Sequence, residues 1–92
     1  MANTEKDTKV AMMMAAGKAL ELKRKKPQAD TEEILKQVMK DIKASGNAKI
    51  GAIAAASRAI KYREQEPGAK DKDIMQRVMN ESSDIVDVIG QE

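Results

Sequence analysis

Two stretches of the chain match each other at a separation of 40 residues. They read KVAMMMAAGKALELKRKKPQADTEEILKQVMKD over residues 9–41 and KIGAIAAASRAIKYREQEPGAKDKDIMQRVMNE over residues 49–81, and they align without a gap. The identical positions are Lys9/Lys49, Ala15/Ala55, Ala16/Ala56, Ala19/Ala59, Pro27/Pro67, Ala29/Ala69, Ile34/Ile74, Val38/Val78 and Met39/Met79. A repeat of this length that carries no strand pattern indicates a pair of helices used twice.

The first helix of the first copy is predicted from about residue 5 or 8 to Lys26. Pro27 ends it, because proline disfavours helical geometry in the residue before it. Large apolar residues recur three and four positions apart, and this spacing predicts that they form the packing face of the helix. They are Val10, Met13, Met14 and Leu20, together with Gly17.

The second helix is predicted to begin near Thr31, with Asp30 or Thr31 as its N-cap. It is expected to end at residues 45–47, where Gly46 suits the left-handed position that often terminates a helix. Its apolar stripe is Ile34, Leu35, Val38, Met39 and Ile42.

The second copy predicts two further helices. Pro67 ends the third, and Asp71 is the expected N-cap of the fourth. The sequence leaves open whether residues 85–89 extend the fourth helix or form a short extended tail. The predicted packing faces are Ile50, Ile53, Ala54, Ser57 and Ile60 in the third helix, and Ile74, Met75, Val78 and Met79 in the fourth.

We therefore predict one all-α domain over residues 1–92, made of four helices. It consists of two tandem helical hairpins, about residues 5–45 and 47–89, related by the 40-residue repeat. Short turns favour antiparallel packing of helices that follow each other in the chain. Whether the hairpins pack within one chain or exchange between two chains is left open.

The composition excludes several kinds of function. The chain has no cysteine and no histidine, so it has no disulfide, no Cys/His zinc site, no thiol nucleophile and no histidine base. It has a single aromatic residue, Tyr62, and this all but excludes base stacking on an aromatic platform. The adjacent acids Glu32/Glu33 and Asp71/Asp73 are typical helix-start charges. We predict a protein that is not an enzyme and holds no cofactor and no metal, and we expect the Tyr62 hydroxyl to face water.

No segment has the length of a membrane-spanning helix. The longest uninterrupted apolar stretch covers residues 10–17, whereas a spanning helix needs about 20 residues. The first ten residues carry mixed charge, unlike the basic start of a signal peptide. We expect a cytoplasmic protein without a membrane partner.

Apolar residues in helix one and at the end of the chain are candidates for a protein interface. Eight apolar residues in a row leave no polar face between Val10 and Gly17, because helical residues turn by about 100° each. Helix one is therefore either surrounded by neighbours or partly exposed for a partner, and methionine adapts well to varied surfaces. The candidate interface residues are Met12, Met13, Met14, Ile85, Val86 and Ile89.

Basic residues are concentrated in the first copy. Residues 1–46 hold ten basic and seven acidic residues, a balance of +3, whereas residues 47–92 hold seven and eight, a balance of −1. These cations are candidates for contact with nucleic acid or with an acidic partner. They are Lys18, Lys23, Arg24, Lys25, Lys26, Lys36, Lys40 and Lys43.

Two functional hypotheses follow from these surfaces. The first is a small interaction or assembly module that binds a protein partner or itself, for example as a homodimer, through apolar helix faces. The second is a nucleic-acid-binding domain that uses the basic surface of the first hairpin. A net charge of only +2 and the nearby acids Glu32, Glu33 and Asp41 favour the first hypothesis.

Overall fold

The computed structural model describes the backbone of residues 4–44 and 46–90 and the side chains of residues 8–44 and 46–81. Over these residues the chain forms four α-helices and no strand. They are α1 (Thr4–Lys25), α2 (Thr31–Asp41), α3 (Gly46–Gln65) and α4 (Asp71–Gly90). The predicted all-α class and the number of helices are confirmed, and the last apolar segment is helical up to Gly90.

The two prolines end helices as predicted. α1 ends at Lys25 and α3 at Gln65, each two residues before its proline. The N-cap of α2 is Asp30, whose Oδ1 accepts a hydrogen bond from the backbone N–H of Glu33 at 2.8 Å. This bond satisfies one of the amides that have no partner within the helix.

The end of α2 differs from the prediction. The helix stops at Asp41, and Ile42 takes an extended conformation that keeps its side chain in the core. Gly46 does have a positive φ of 60°, but it is the first residue of α3 rather than the cap of α2. The expected cap at Asp71 is also wrong. Asp71 is the first residue of α4, and its carboxylate accepts hydrogen bonds from Arg24 and Arg63 instead.

The centre of the fold is the contact between α1 and α3, which is the most extensive helix contact. The two helices run parallel. Near their beginnings Gly51 faces Thr8 and Met12, and near their ends the amine of Lys23 lies 3.2 Å from a carboxylate oxygen of Glu64. The helices α2 and α4 each contact both α1 and α3, and over the described residues they do not contact each other. This arrangement does not single out the predicted hairpins as packing units, and they remain a prediction.

Two apolar cores fill the spaces on either side of the α1–α3 contact. The α2 core contains Ala11, Ala15, Ala19, Ile34, Val38, Ile42, Ala52, Ala56 and Ile60. The α4 core contains Met12, Ala16, Leu20, Ala55, Ala59, Ile74 and Val78. Each residue of the α4 core lies 40 residues from a residue of the α2 core.

The packing faces of the two central helices differ from the prediction. The sequence predicted Val10, Met13 and Met14 in the core of α1, yet all three are about half exposed. In α3, Ile50 is exposed and Ile53 is only half-buried. The buried faces consist mainly of alanine, whose small side chain lets two helix backbones approach closely. Leu20 and Ile60 are buried as predicted, whereas Val10, Met13, Met14 and Ile50 lie on the side of their helix that faces away from the core.

The α1–α3 contact is testable at Gly51. A Cβ at this position would lie 2.8 Å from Thr8 Cγ2 and 3.1 Å from Met12 Cγ. We expect Gly51→Ala to lower the free energy of unfolding, because overpacking costs about 1–3 kcal/mol and outweighs the gain of about 1 kcal/mol in helix propensity. Gly17→Ala is the matched control, because its Cβ would meet only Met75 Cε at an ordinary 3.9 Å. That variant gains about 1 kcal/mol of helix propensity. Urea unfolding measures both changes, and equal stabilisation of the two variants would contradict the packing described.

Candidate functional site

The three adjacent methionines of α1 divide between core and surface. Met12 is completely buried in the α4 core, so its place among the predicted interface residues is wrong. Met13 and Met14 are 49% and 55% exposed, and Val10 is 47% exposed. A rotation of about 100° per residue turns Met13 and Met14 away from the side of the helix that buries Met12.

We name the side of α1 that faces away from α3 the α1 outer face. Its first half is apolar and its second half is charged. It consists of Val10, Met13, Met14, Gly17, Glu21 and Arg24, spaced three and four residues apart. Val10 and Met14 also line a shallow groove of about 330 Å³ with Ile42, Ala44 and Ala48, at the point where α2 ends and α3 begins.

α3 presents a corresponding surface, which we name the α3 outer face. It too begins with apolar residues and continues with charged ones. It consists of Ile50, Ile53, Ala54, Ser57, Lys61 and Glu64. Ile50 is 54% exposed and completes the set of large, exposed apolar side chains among the described residues. The sequence assigned Ile50 and Ile53 to the core, because large apolar residues at helical spacing usually mark the buried side of a helix.

The remaining predicted interface residues lie in the last part of α4. Ile85, Val86 and Ile89 fall outside the residues whose side chains the structure describes. Their assignment to an interface therefore stays a prediction.

Most of the predicted basic contact residues pair with carboxylates of the same chain. The Lys18 amine lies 3.4 Å from Asp41 and 3.5 Å from Glu21, and the hydrogen bond to Asp41 raises the pKa of Lys18. Lys25 also pairs with Glu21, mainly through a hydrogen bond that lowers the pKa of this carboxyl. Lys36 lies 3.8 Å from Glu32, one turn earlier on α2. These cations are therefore partly neutralised.

The ends of α1 and α3 form a second charged cluster with the start of α4. Here a groove of about 870 Å³ is lined by four basic and two acidic residues and by both prolines. Arg24 lies 3.0 Å from Asp71, which also accepts from Arg63. Lys23 donates hydrogen bonds to a carboxylate oxygen of Glu64 and to the backbone carbonyl of Ala29. Arg63 donates a corresponding hydrogen bond to the backbone carbonyl of Ala69. These bonds tie each helix end to the following turn, so the cluster has a structural role.

Three of the predicted basic contact residues are exposed and form no ion pair within the described part of the chain. They are Lys26, Lys40 and Lys43. Lys40 and Lys36 lie four residues apart on the exposed side of α2, opposite the buried Ile34 and Val38. The structure thus brings only a part of the predicted basic set together on one open surface.

Tyr62 joins a polar network between α3 and α4 that the sequence did not reveal. Its hydroxyl donates a hydrogen bond to Glu81, which also pairs with Arg58 at 2.6 Å, and the Arg77 guanidinium lies 4.4 Å above the Tyr62 ring. The expectation that the hydroxyl faces water is therefore wrong. The shared hydrogen bond raises the pKa of Tyr62 and lowers the pKa of Glu81. One feature of the sequence pointed to a polar contact here, because Glu81 keeps the acidic character of Asp41, its counterpart 40 residues earlier.

The described residues show neither a metal centre nor a membrane helix. No three acidic side chains among them are grouped closely enough to hold a metal ion. No helix in this part of the chain combines the length and the apolar character needed to cross a bilayer.

Comparison of the chain with protein-family models, with curated proteins and with solved structures finds no match.

The Tyr62 network predicts a specific response to acid. The lowered pKa of Glu81 stabilises the folded chain above the ordinary value of 4.5, and this stabilisation is lost as the pH falls through the folded-state pKa. Tyr62→Phe removes the hydrogen bond that is the main cause of the shift. We expect the variant to lose about 1 kcal/mol at neutral pH and to lose less additional stability on acidification.

Urea unfolding at neutral pH and through the acid range measures both effects. Glu32→Gln is the control, because it breaks an exposed pair on α2 that contributes only about 0.3–0.5 kcal/mol. If Tyr62→Phe and the unchanged protein lose stability in parallel as the pH falls, the assigned role of Tyr62 is wrong.

Proposed function

We propose that this protein is a non-catalytic interaction module that binds a protein partner or a second copy of itself through the α1 outer face. The observation that carries the proposal is the half-exposure of Val10, Met13 and Met14 on a helix whose opposite side is buried. Contiguous apolar side chains on a surface usually mark an interface, because their burial against a partner removes apolar area from water.

The distribution of residue sizes supports this proposal. The core uses alanine at four positions of α1, whereas two methionines and a valine of the same helix lie outside it. Core packing therefore does not account for the large residues on the surface. Methionine is flexible and polarisable, and it is favoured where a surface adapts to a partner.

The charged groups support a non-catalytic role. In the larger groove, Glu64 and Asp71 both pair with basic residues, and Lys23 and Arg63 bond to backbone carbonyls. A general acid or base needs a group that can exchange its proton with a substrate. These side chains are instead engaged in holding helix ends and turns together.

We also propose that the two copies of the repeat form similar halves around an approximate two-fold axis that runs between α1 and α3. Contacts that recur after 40 residues support this. Lys18–Asp41 corresponds to Arg58–Glu81, and the Lys23 bond to the Ala29 carbonyl corresponds to the Arg63 bond to the Ala69 carbonyl.

A photo-crosslinking residue at position 13 tests the interaction function in cells that express the protein. We expect covalent adducts to a defined protein, because Met13 lies in the middle of the exposed apolar surface. Gln37, which is exposed on α2, is the control position. Mass spectrometry of the adducts identifies the partner, and equal labelling from positions 13 and 37 would contradict the proposal. Met13→Lys at the same surface is expected to abolish the complex without unfolding the chain.

Nucleic-acid binding is the second candidate, and the exposed Lys36, Lys40 and Lys43 favour it. The combined change of these lysines to glutamate is expected to abolish any binding to duplex DNA or single-stranded RNA. Binding through several phosphates weakens steeply with added salt. Fluorescence anisotropy at two salt concentrations measures this, and the combined change of the exposed Lys49, Lys70 and Lys72 to glutamate is the control for the same change in net charge. No binding by the unchanged protein at low salt would exclude this candidate.

A further inference from the structure

We infer that the α1 outer face binds the α3 outer face of a second copy of this chain. Copies then lie side by side in the same orientation, and each copy contacts the next through two different faces, which we call a head-to-tail contact. This inference rests on the proposed function and names the partner. It follows from three properties of the two outer faces: their opposite directions, their matched apolar halves and their opposite charges.

The two faces point away from each other. α1 and α3 lie in direct contact and run parallel, and the outer face of each is the side that turns away from the other helix. A second copy placed beside the first in the same orientation therefore brings its α3 outer face against the α1 outer face of its neighbour. In this arrangement the two facing helices are parallel, and repeat-related residues lie at the same height.

The apolar halves of the two faces then meet. Val10 comes level with Ile50, and the large Met13 and Met14 come level with Ile53 and the small Ala54. Gly17 and Ser57 follow at the next turn, and both residues are small enough to allow close approach of the helices. The four large and exposed apolar side chains of the described residues thus become buried in one contact.

The charged halves carry opposite signs at the same heights. Glu21 of α1 comes level with Lys61 of α3, and Arg24 comes level with Glu64. Lys61 is exposed and forms no ion pair within the described residues, so it is available to Glu21. Glu21 already pairs with Lys18 and Lys25. Arg24 pairs with Asp71, and Glu64 pairs with Lys23. A carboxylate or a guanidinium can share a further partner.

The same charges disfavour a symmetric dimer through either face alone. Two parallel α1 outer faces would oppose Glu21 to Glu21, and two α3 outer faces would oppose Lys61 to Lys61. Like charges across an interface suppress the wrong pairing. The head-to-tail contact alone combines the two apolar halves with opposite charges. Such a contact leaves one free face at each end, so that association continues beyond a dimer.

Sedimentation velocity over a range of concentrations tests this inference with two charge-matched variants. Met13→Lys disables the α1 outer face and Ile50→Lys disables the α3 outer face. Both residues are about half exposed, and circular dichroism confirms that each variant is folded. We expect a series of oligomers from the unchanged chain and monomers only from each variant. An equimolar mixture of the variants is expected to form a dimer and nothing larger, since one intact face of each kind remains.

Two results would overturn the inference. If Ile50→Lys still dimerises while Met13→Lys is monomeric, the contact joins two α1 outer faces, and the proposed interaction function stands without the head-to-tail arrangement. If the unchanged chain is monomeric at all concentrations, the partner is not a second copy, and the crosslinks from position 13 then decide the proposed function on their own.

Exchange of charges gives an independent measurement of the same contact. Glu21→Lys and Lys61→Glu are each expected to lose the larger oligomers, because like charges then meet. A mixture of these two variants is expected to regain the larger oligomers. In each contact between one variant and the other, positions 21 and 61 carry opposite charges. If the Lys61→Glu variant assembles like the unchanged chain, α3 takes no part in the contact.

Discussion

The close parallel contact of α1 with α3 is the constraint on which the rest of the structure depends. Alanine provides most of its surface, and Gly51 allows Thr8 and Met12 to lie against the backbone of α3. Small side chains contribute little burial each, so the larger apolar residues of α2 and α4 complete the cores from both sides. Packing in protein interiors is dense and leaves few voids. The centre of the contact therefore accommodates mainly small side chains, and Val10, Met13, Met14 and Ile50 lie on the outer faces.

The number of helices, their ends at the prolines and the buried stripe of α2 could be predicted from the sequence. These features depend on local chemistry: the backbone restriction before Pro27, the side-chain oxygen of Asp30 and the spacing of Ile34 and Val38. The packing faces of α1 and α3 could not be predicted in the same way. Periodicity locates apolar residues but does not say whether alanines or larger residues face the core when a helix is apolar on all sides, as at Met12 and Met13.

The basic surface was predicted only in part, for a different physical reason. A sequence gives the number of charges and their spacing along one helix, but the partners of Lys23 and Arg24 come from α3 and α4, more than 40 residues away. The cations at the helix ends favour the negative end of each helix dipole and bond to turn carbonyls. A dense basic run can thus be a device that fixes turns. The Tyr62 network shows the same limit, since Glu81 lies on the neighbouring helix.

The differences between the two copies of the repeat are informative because they are not spread evenly over the molecule. Several core positions keep their size and apolar character, as at Ile34/Ile74 and Val38/Val78, whereas Met12 corresponds to the smaller Ala52. Outer positions change in a correlated way, with Glu21 replaced by Lys61 and Arg24 by Glu64. A solvated surface imposes no requirement that charges reverse at two successive turns of one face. A contact between the two faces does impose it, because each charge then lies level with its opposite, and the apolar residues at the beginning of each face are withdrawn from water together.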